Sequence, residues 1–278
     1  MQSVSETKAL RMPEIITCIL NQADICTLMT AQLVCHMWKD LIDETPSLQQ
    51  ALFFLPSSIP SNCAERTLNP LLAETFHSFF PRKMPQADPA EVLVIDLQAL
   101  DLVKESKKEA YFRPEASWRR MLTHQPPMRN IGYFEDATTP FGWGWGQSRT
   151  FVENGLRMGP LLDTVIDRSR WKLNHGWFSV FLGGLEPVNL DPFWLKPGPN
   201  RSTLEGPKVA YGEMVEFELV IHAGSGSTCV DPDEDDEEYY KTENEIAWEE
   251  IRKEYERAGM VISGLNMEKY KEGSEMWD

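Results

Sequence analysis

Apolar residues dominate the segment 25–43, which the sequence predicts to be one helix. They cover about half of the circumference of such a helix, against about 100° for an ordinary amphipathic helix. One side of this helix is lined by Leu28, Ala31, Cys35, Trp38 and Ile42. A unit of about 50 residues cannot bury that much apolar surface internally, because small units bury proportionally less of their surface. The segment therefore predicts a contact with another surface, in this chain or in a partner.

Two further helices flank this segment. Pro13 lies where the first turn of a helix tolerates proline, and an apolar stripe follows it at Ile15, Ile16, Ile19 and Leu20. Asp24 can cap the helix over 25–43. Thr45-Pro46 begins a third helix that continues to Leu52. The N-terminal part of the chain is therefore predicted to be a three-helix unit.

The order and spacing of these residues resemble the F-box family over residues 8–54. The matching positions are Met12-Pro13-Glu14-Ile15-Ile16, Ile19-Leu20, Asp24, Leu28, Ala31-Gln32, Val34-Cys35, Trp38, Leu41-Ile42 and Ser47-Leu48-Gln49. The Val-Cys-x-x-Trp core and the following Leu52-Phe53-Phe54 are especially similar to fungal F-box proteins of an uncharacterised group. A plain helical subdomain packed on the rest of the chain is the simpler alternative.

The resemblance implies a substrate-receptor subunit of a Skp–cullin–RING ubiquitin ligase. In such a protein the F-box binds the Skp-type adaptor of the cullin complex, and the rest of the chain recruits a client protein whose identity the sequence does not give. Carried onto this chain, the adaptor contacts fall on Met12, Pro13, Ile16, Val34, Cys35 and Trp38. The resemblance implies no enzyme activity, no catalytic residue, no metal and no cofactor.

The rest of the chain is predicted to form a mixed, aromatic-rich α+β part behind the helices. Residues 55–90 carry six prolines and are predicted to be a connector, with one short helix beginning at Asn69-Pro70. Residues 91–230 are predicted to be the client-recruiting domain. Within it we expect strands at 92–97, 177–182 and 215–222, and helices at 117–123 and 159–167.

The C-terminal region begins with a concentrated negative charge. Residues 231–238 hold seven carboxylates in eight positions, so 231–242 is predicted to be an acidic disordered hinge. A landing site for a basic client is the alternative function of this run. Thr242 and Glu245 have capping-box spacing, and a helix over 243–258 that stops at Gly259 is expected inside a final segment, 243–278.

Charge and cysteine content exclude several classes of protein. The formal net charge of −16 disfavours nucleic acid and anionic membranes as partners, because phosphate contacts need clustered cations. No apolar run reaches the ~18 residues of a membrane helix. Five cysteines without C-x-x-C spacing predict neither a disulfide framework nor a zinc site. Together with the absence of a signal-peptide pattern, these features predict a cytoplasmic or nuclear protein.

Two other functions remain open from the sequence. An uncharacterised hydrolase with a helical cap is one alternative, although the chain lacks G-x-S-x-G, H-E-x-x-H and Walker motifs. An F-box scaffold that acts outside ubiquitination is the other. The segment Gly142-Trp-Gly-Trp-Gly146 places two indole rings on one side of an extended chain. Those rings fill the core, or else they stack on sugars or prolines of a ligand.

Overall fold

A computed structural model describes residues 12–57, 66–80, 97–139, 142–168, 177–182, 217–226 and 243–276 of the 278-residue chain. Within these ranges the protein is a mixed α+β structure, with helices at its N-terminus and a five-stranded sheet behind them. None of the helices in these ranges is long and apolar enough to cross a membrane.

Four short helices follow one another at the N-terminus. They are α1 (Pro13–Leu20), α2 (Ile25–Ala31), α3 (His36–Glu44) and α4 (Pro46–Ala51). Pro13 and Pro46 occupy first-turn positions, and the Asp24 carboxylate accepts a hydrogen bond from the backbone N–H of Thr27 at 2.9 Å. The expected starts of these helices are therefore confirmed.

The single helix predicted over 25–43 is wrong, because the chain turns between α2 and α3. The backbone N–H of Leu33 donates to the Thr30 carbonyl and that of Val34 donates to the Ala31 carbonyl, closing a tight turn. Cys35 is then fully extended, with φ −165° and ψ 165°, and precedes α3. The apolar period continues across this turn, so periodicity alone does not reveal the break.

Short elements connect the N-terminal helices to the sheet. They are β1 (Thr67–Leu68), α5 (Pro70–Thr75), two 3₁₀ helices (His77–Phe79 and Asp101–Val103), α6 (Lys108–Tyr111), α7 (Ser117–Arg120) and β2 (His124–Gln125). The short helix expected to begin at Asn69-Pro70 is confirmed, and the Asn69 side chain caps it by accepting from the N–H groups of Leu71 and Leu72. The helix expected over 117–123 ends at Arg120. Of the strand expected at 92–97, only Leu97 is described, and it lies in a bend.

The sheet has the strand order β5-β6-β3-β4-β7. Its strands are β3 (Asn130–Thr139), β4 (Gly142–Phe151), β5 (Trp177–Leu182), β6 (Leu219–Gly226) and β7 (Glu268–Met276). The pair β3–β6 is parallel and the other pairs are antiparallel. The predicted strand at 177–182 is confirmed, whereas the one expected at 215–222 begins only at Leu219; residues 215 and 216 lie outside the described ranges.

Two longer helices accompany the sheet. Helix α8 (Met158–Arg168) contains the predicted helix at 159–167, and α9 (Glu243–Arg257) matches the one predicted over 243–258. Gly259 follows α9 with φ +64°, the left-handed conformation that ends many helices. The predicted acidic hinge at 231–242 lies outside the described residues.

The C-terminal segment is part of the sheet and not a separate tail. Strand β7 pairs with β4, and Ala247, Ile251 and Tyr255 of α9 are buried. The boundary predicted between a domain at 91–230 and a segment at 243–278 therefore does not divide the core. Strand β7 is rich in Lys and Glu, so its sequence shows little of the apolar alternation that identifies a strand.

One continuous apolar core joins the helices to the sheet, extending from Ile16 in α1 to Tyr255 in α9. A smaller cluster on the sheet contains Phe134, Phe217 and Val220, with Trp145 packed against it. The rings of Trp145 and Phe134 stack 6.4 Å apart, and a Cβ atom on Gly273 would lie 2.6 Å from the Trp145 ring. Trp145 is therefore partly buried against this cluster, which agrees with the core interpretation for this one ring.

Candidate functional site

Exposed apolar side chains are concentrated on the N-terminal helices. Six of the ten large exposed apolar residues in the described part of the chain lie between positions 12 and 37. We call them the exposed apolar set: Met12, Ile15, Ile19, Leu33, Val34 and Met37. Such a concentration is typical of a surface that another protein covers.

Helix α1 presents apolar residues on two sides that differ by about 100° around its axis. Ile16 and Leu20 point into the core, with 1% and 2% of their surface exposed. Ile15 and Ile19, also one turn apart, are 38% and 51% exposed. A helix that only packed on its own domain would need the first pair alone. The second pair is therefore available to a partner.

The turn between α2 and α3 exposes the next members of the set. Leu33 and Val34 are 84% and 61% exposed, because the tight turn carries them away from the core that holds Leu28 and Ala31. Cys35 follows as an exposed free thiol at the start of α3. Two other exposed thiols, Cys18 and Cys26, lie on α1 and α2. Exposed cysteines and branched aliphatic side chains are unusual on a surface that stays in water.

Few charges accompany this surface. Between positions 12 and 38 the only charged side chains are those of Glu14 and Asp24. Hydrogen bonds from the backbone N–H and the hydroxyl of Thr27 lower the pKa of Asp24, so it is ionised at neutral pH and engaged locally. A partner can cover the exposed apolar set without burying many unpaired charges, which would oppose binding.

The structure distributes the six predicted contact residues among three environments. Met12, Pro13, Val34 and Cys35 are exposed. Trp38 is partly buried and packs against the core. Ile16 lies in the core with 1% of its surface exposed, so the expectation that its side chain contacts a partner is at odds with its burial.

Sequence reasoning missed four members of the exposed apolar set: Ile15, Ile19, Leu33 and Met37. The pairs 15/19 and 16/20 have the same helical spacing, so the sequence gives no sign of which pair faces the core. The exposure of Leu33 follows from the turn after Ala31, which the apolar period conceals.

A hydrolytic site finds little support in the described residues. The Asp163 carboxylate is clamped by Arg119, whose guanidinium donates at 2.8 and 2.9 Å, and by the Tyr255 hydroxyl at 2.6 Å. It is 3% exposed and serves to hold α7, α8 and α9 together. Within the ranges given above, no group of three His, Cys, Asp or Glu side chains could hold a metal ion.

These observations define a binding protein that offers an apolar surface with few charges on short helices. The family model of the F-box domain matches residues 10–50, which include the whole exposed apolar set. The chain therefore carries an F-box domain over residues 10–50. F-box domains bind Skp-type adaptors in the substrate receptors of Skp–cullin–RING ubiquitin ligases, and F-box proteins are in general receptors rather than enzymes. No curated protein and no solved structure matches the chain.

Proposed function

We propose that this protein is a substrate-receptor subunit of a Skp–cullin–RING ubiquitin ligase. The N-terminal helices bind the Skp-type adaptor, and the sheet-containing part recruits a client protein. The chain itself catalyses nothing. Its contribution is to hold the client close to the ubiquitin-transferring subunits, which raises the effective concentration of the reacting groups. This role places the protein in the cytoplasm or the nucleus.

The exposed apolar set is the observation that supports this proposal. Its members lie inside the segment that matches the F-box domain, and they are the side chains that a bound adaptor would remove from water. Met12, Pro13, Val34 and Cys35 are the contacts shared by the family resemblance and by the observed exposure. Trp38 contributes through its exposed part, whereas Ile16 supports α1 from the core.

A pair of valine variants tests this surface. Val34→Asp puts a charge into the proposed interface, and we expect it to weaken binding to a Skp-type adaptor at least about tenfold. Val261 is 81% exposed in the segment between α9 and β7, so Val261→Asp is the matched control and should bind the adaptor like the wild type. Affinities are measured by calorimetry and folding by circular dichroism. If both variants are folded and bind equally well, this surface is not the adaptor site.

The double variant Met12→Asp with Pro13→Ala tests the entry to α1 in the same assay. Both residues are exposed, so the fold should persist while adaptor binding is lost. Truncation of Trp38 to Ala should cost at least about 2 kcal/mol of binding, roughly thirtyfold in affinity. Because Trp38 also packs against the core, the Trp38→Ala variant should also have a lower melting temperature than the wild type. If the double variant stays folded and binds normally, the adaptor assignment is wrong.

An F-box scaffold that binds the adaptor outside ubiquitination is the second candidate. It shares the same adaptor surface, so variants of that surface do not separate the two functions. Purification of the chain with its adaptor from cells separates them. Cullin in the complex together with ubiquitinated co-purifying proteins supports the receptor, and an adaptor complex that lacks cullin supports the scaffold.

A further inference from the structure

A dense set of contacts ties the end of the F-box domain to the sheet-containing part. Gln125 donates through its side-chain amide to the carbonyls of Gln50 at 2.7 Å and Leu55 at 3.1 Å. The Leu122 N–H donates to the Phe53 carbonyl at 2.8 Å. We call this region the joint; it comprises residues 50–56, residues 120–125 and Arg157.

Phe53 has a backbone conformation that is rare for a bulky residue. Its φ of +60° lies in the left-handed region, and it is the only non-glycine residue with positive φ in the described ranges. Strained conformations persist only where surrounding contacts fix them. Here the fixing contacts are the bond from Leu122 and the hydrogen bond from the Phe54 N–H to the Gln49 carbonyl at 2.8 Å. The chain therefore leaves the F-box domain in one imposed direction.

Arg157 links the two sides of the joint. Its guanidinium donates to the Phe54 carbonyl at 3.2 Å on the F-box side and to the Arg120 carbonyl on the other side. The Arg120 guanidinium lies 4.1 Å above the centroid of the Phe54 ring. Arg157 directly precedes α8, the helix that carries Asp163 and shares the apolar core with the sheet. A planar fork with several donors suits such a double contact better than a lysine ammonium does.

We propose that Arg157 is a positioning residue, which holds the F-box domain and the sheet-containing part at one fixed mutual orientation. The proposal rests on the receptor function, since that orientation decides where a recruited client lies relative to the adaptor. Arg157 is far in sequence from the exposed apolar set and has no part in binding the adaptor. The shared apolar core keeps the two parts attached after the loss of Arg157, so their mutual orientation varies more widely while the adaptor surface stays intact.

Distances between spin labels test this role in the full-length chain. The five native cysteines are replaced by serine, and labels are attached through Asp40→Cys in α3 and Lys253→Cys in α9, both at exposed positions. We expect one narrow distance distribution for this background and a distribution at least about twice as broad after Arg157→Ala. Arg157→Lys keeps the charge but not the fork, so its distribution should also broaden. The labelled chain without native cysteines must have the same melting temperature as the wild type, so that the labels report on the native fold.

Several results would overturn the proposal. A purely structural role would lower the melting temperature of Arg157→Ala and leave the distribution narrow. A narrow distance distribution for Arg157→Lys beside a broad one for Arg157→Ala would contradict the role of the planar guanidinium, because the positive charge alone would then hold the orientation. If Arg157→Ala does not fold, Gln125→Ala is measured instead, because it removes both bonds to Gln50 and Leu55. A narrow distribution there contradicts the joint itself.

Adaptor binding is measured separately, so the two proposals fail independently. Arg157→Ala should bind the adaptor within about twofold of the wild type, whereas Val34→Asp should not. If the wild type binds no adaptor, the proposed receptor function is wrong. The distances between the labels still test whether the two parts keep one mutual orientation. A loss of adaptor binding in a folded Arg157→Ala variant would contradict the separation of the two roles.

Discussion

His124 makes the stability of this protein depend on pH. It is 2% exposed in β2, and among the described residues neither ring nitrogen has a hydrogen-bond partner. Burial lowers its pKa from 6.5 to about 4, and the nearby Arg66 charge acts in the same direction. Between about pH 6.5 and pH 4 the His124 ring is protonated in the unfolded chain but stays neutral in the folded protein. This contribution to the free energy of unfolding is therefore complete above about pH 6.5, and it decreases as the pH falls toward about 4.

The pH dependence can be isolated by comparing two histidine variants. Between pH 7 and pH 4 the wild type should lose about 3 kcal/mol more of its free energy of unfolding than His124→Gln does. His36 is exposed, so His36→Gln is the control and should follow the wild type. Urea titrations at several pH values measure these quantities. Parallel curves for His124→Gln and the wild type would show that the folded protein accepts the proton.

Ile15 and Ile16 are adjacent in the chain but should differ in what their loss affects. Ile16 is 1% exposed, and Ile16→Ala should lower the free energy of unfolding by about 2–4 kcal/mol. Ile15 is 38% exposed, so Ile15→Ala should change stability by less than about 1 kcal/mol and instead weaken adaptor binding. Thermal melts and binding isotherms of both variants measure the difference. A stability loss for Ile15→Ala together with a binding loss for Ile16→Ala would mean that α1 turns Ile15 toward the core and Ile16 toward the adaptor.

Helix α9 is attached to the rest of the protein through a buried polar network. Tyr255 donates to Asp163, Arg119 donates to the Tyr255 hydroxyl at 2.9 Å, and Trp248 donates to the Ile166 carbonyl at 3.0 Å. Burial and the Asp163 charge raise the pKa of Tyr255, so the phenol stays protonated as a donor. The helix is thereby fixed against α7 and α8.

Asp163 and Tyr255 should differ in how much free energy of unfolding is lost when their polar groups are removed. Asp163→Ala leaves the Arg119 charge poorly paired in a half-buried site, and we expect a loss of about 3–5 kcal/mol in the free energy of unfolding. Tyr255→Phe keeps the ring and removes one hydroxyl, so it should cost only about 1–2 kcal/mol. Urea unfolding of the two variants gives both values. Equal losses would mean that the ion pair adds nothing beyond the hydroxyl.

Elements with local signals could be predicted from the sequence. The helix start at Asn69-Pro70, the helix at 159–167 and the Gly259 stop after α9 each depend on a few neighbouring residues, and each is confirmed. Strands β3 and β4 are not predicted from the sequence, and the alternate glycines of β4 weaken its strand pattern. The pairing of β3 with β4, and of β4 with β7 more than a hundred residues later, depends on contacts that no local pattern reports.

The candidate site was predictable only in part, for a related reason. The family pattern predicts contacts at Met12, Pro13, Val34 and Cys35, and the structure exposes all four residues. Which face of α1 is exposed depends instead on how the N-terminal helices meet the shared core. That arrangement buries Ile16 and leaves Ile15 outside, although the two residues are chemically identical.

The shared core makes a prediction for the molecule as a whole. Leu28 of the F-box domain and Ile251 of α9 are each fully buried in the same apolar cluster. We therefore expect one cooperative thermal transition, because neither part retains its packing when the other unfolds. Leu28→Ala and Ile251→Ala should both lower the midpoint of that transition, by about 5–10 °C each. Val261→Ala, at an exposed site, should leave it unchanged. Two calorimetric transitions, each moved by only one of the buried variants, would mean that the F-box domain and the sheet unfold independently and that the core does not couple them.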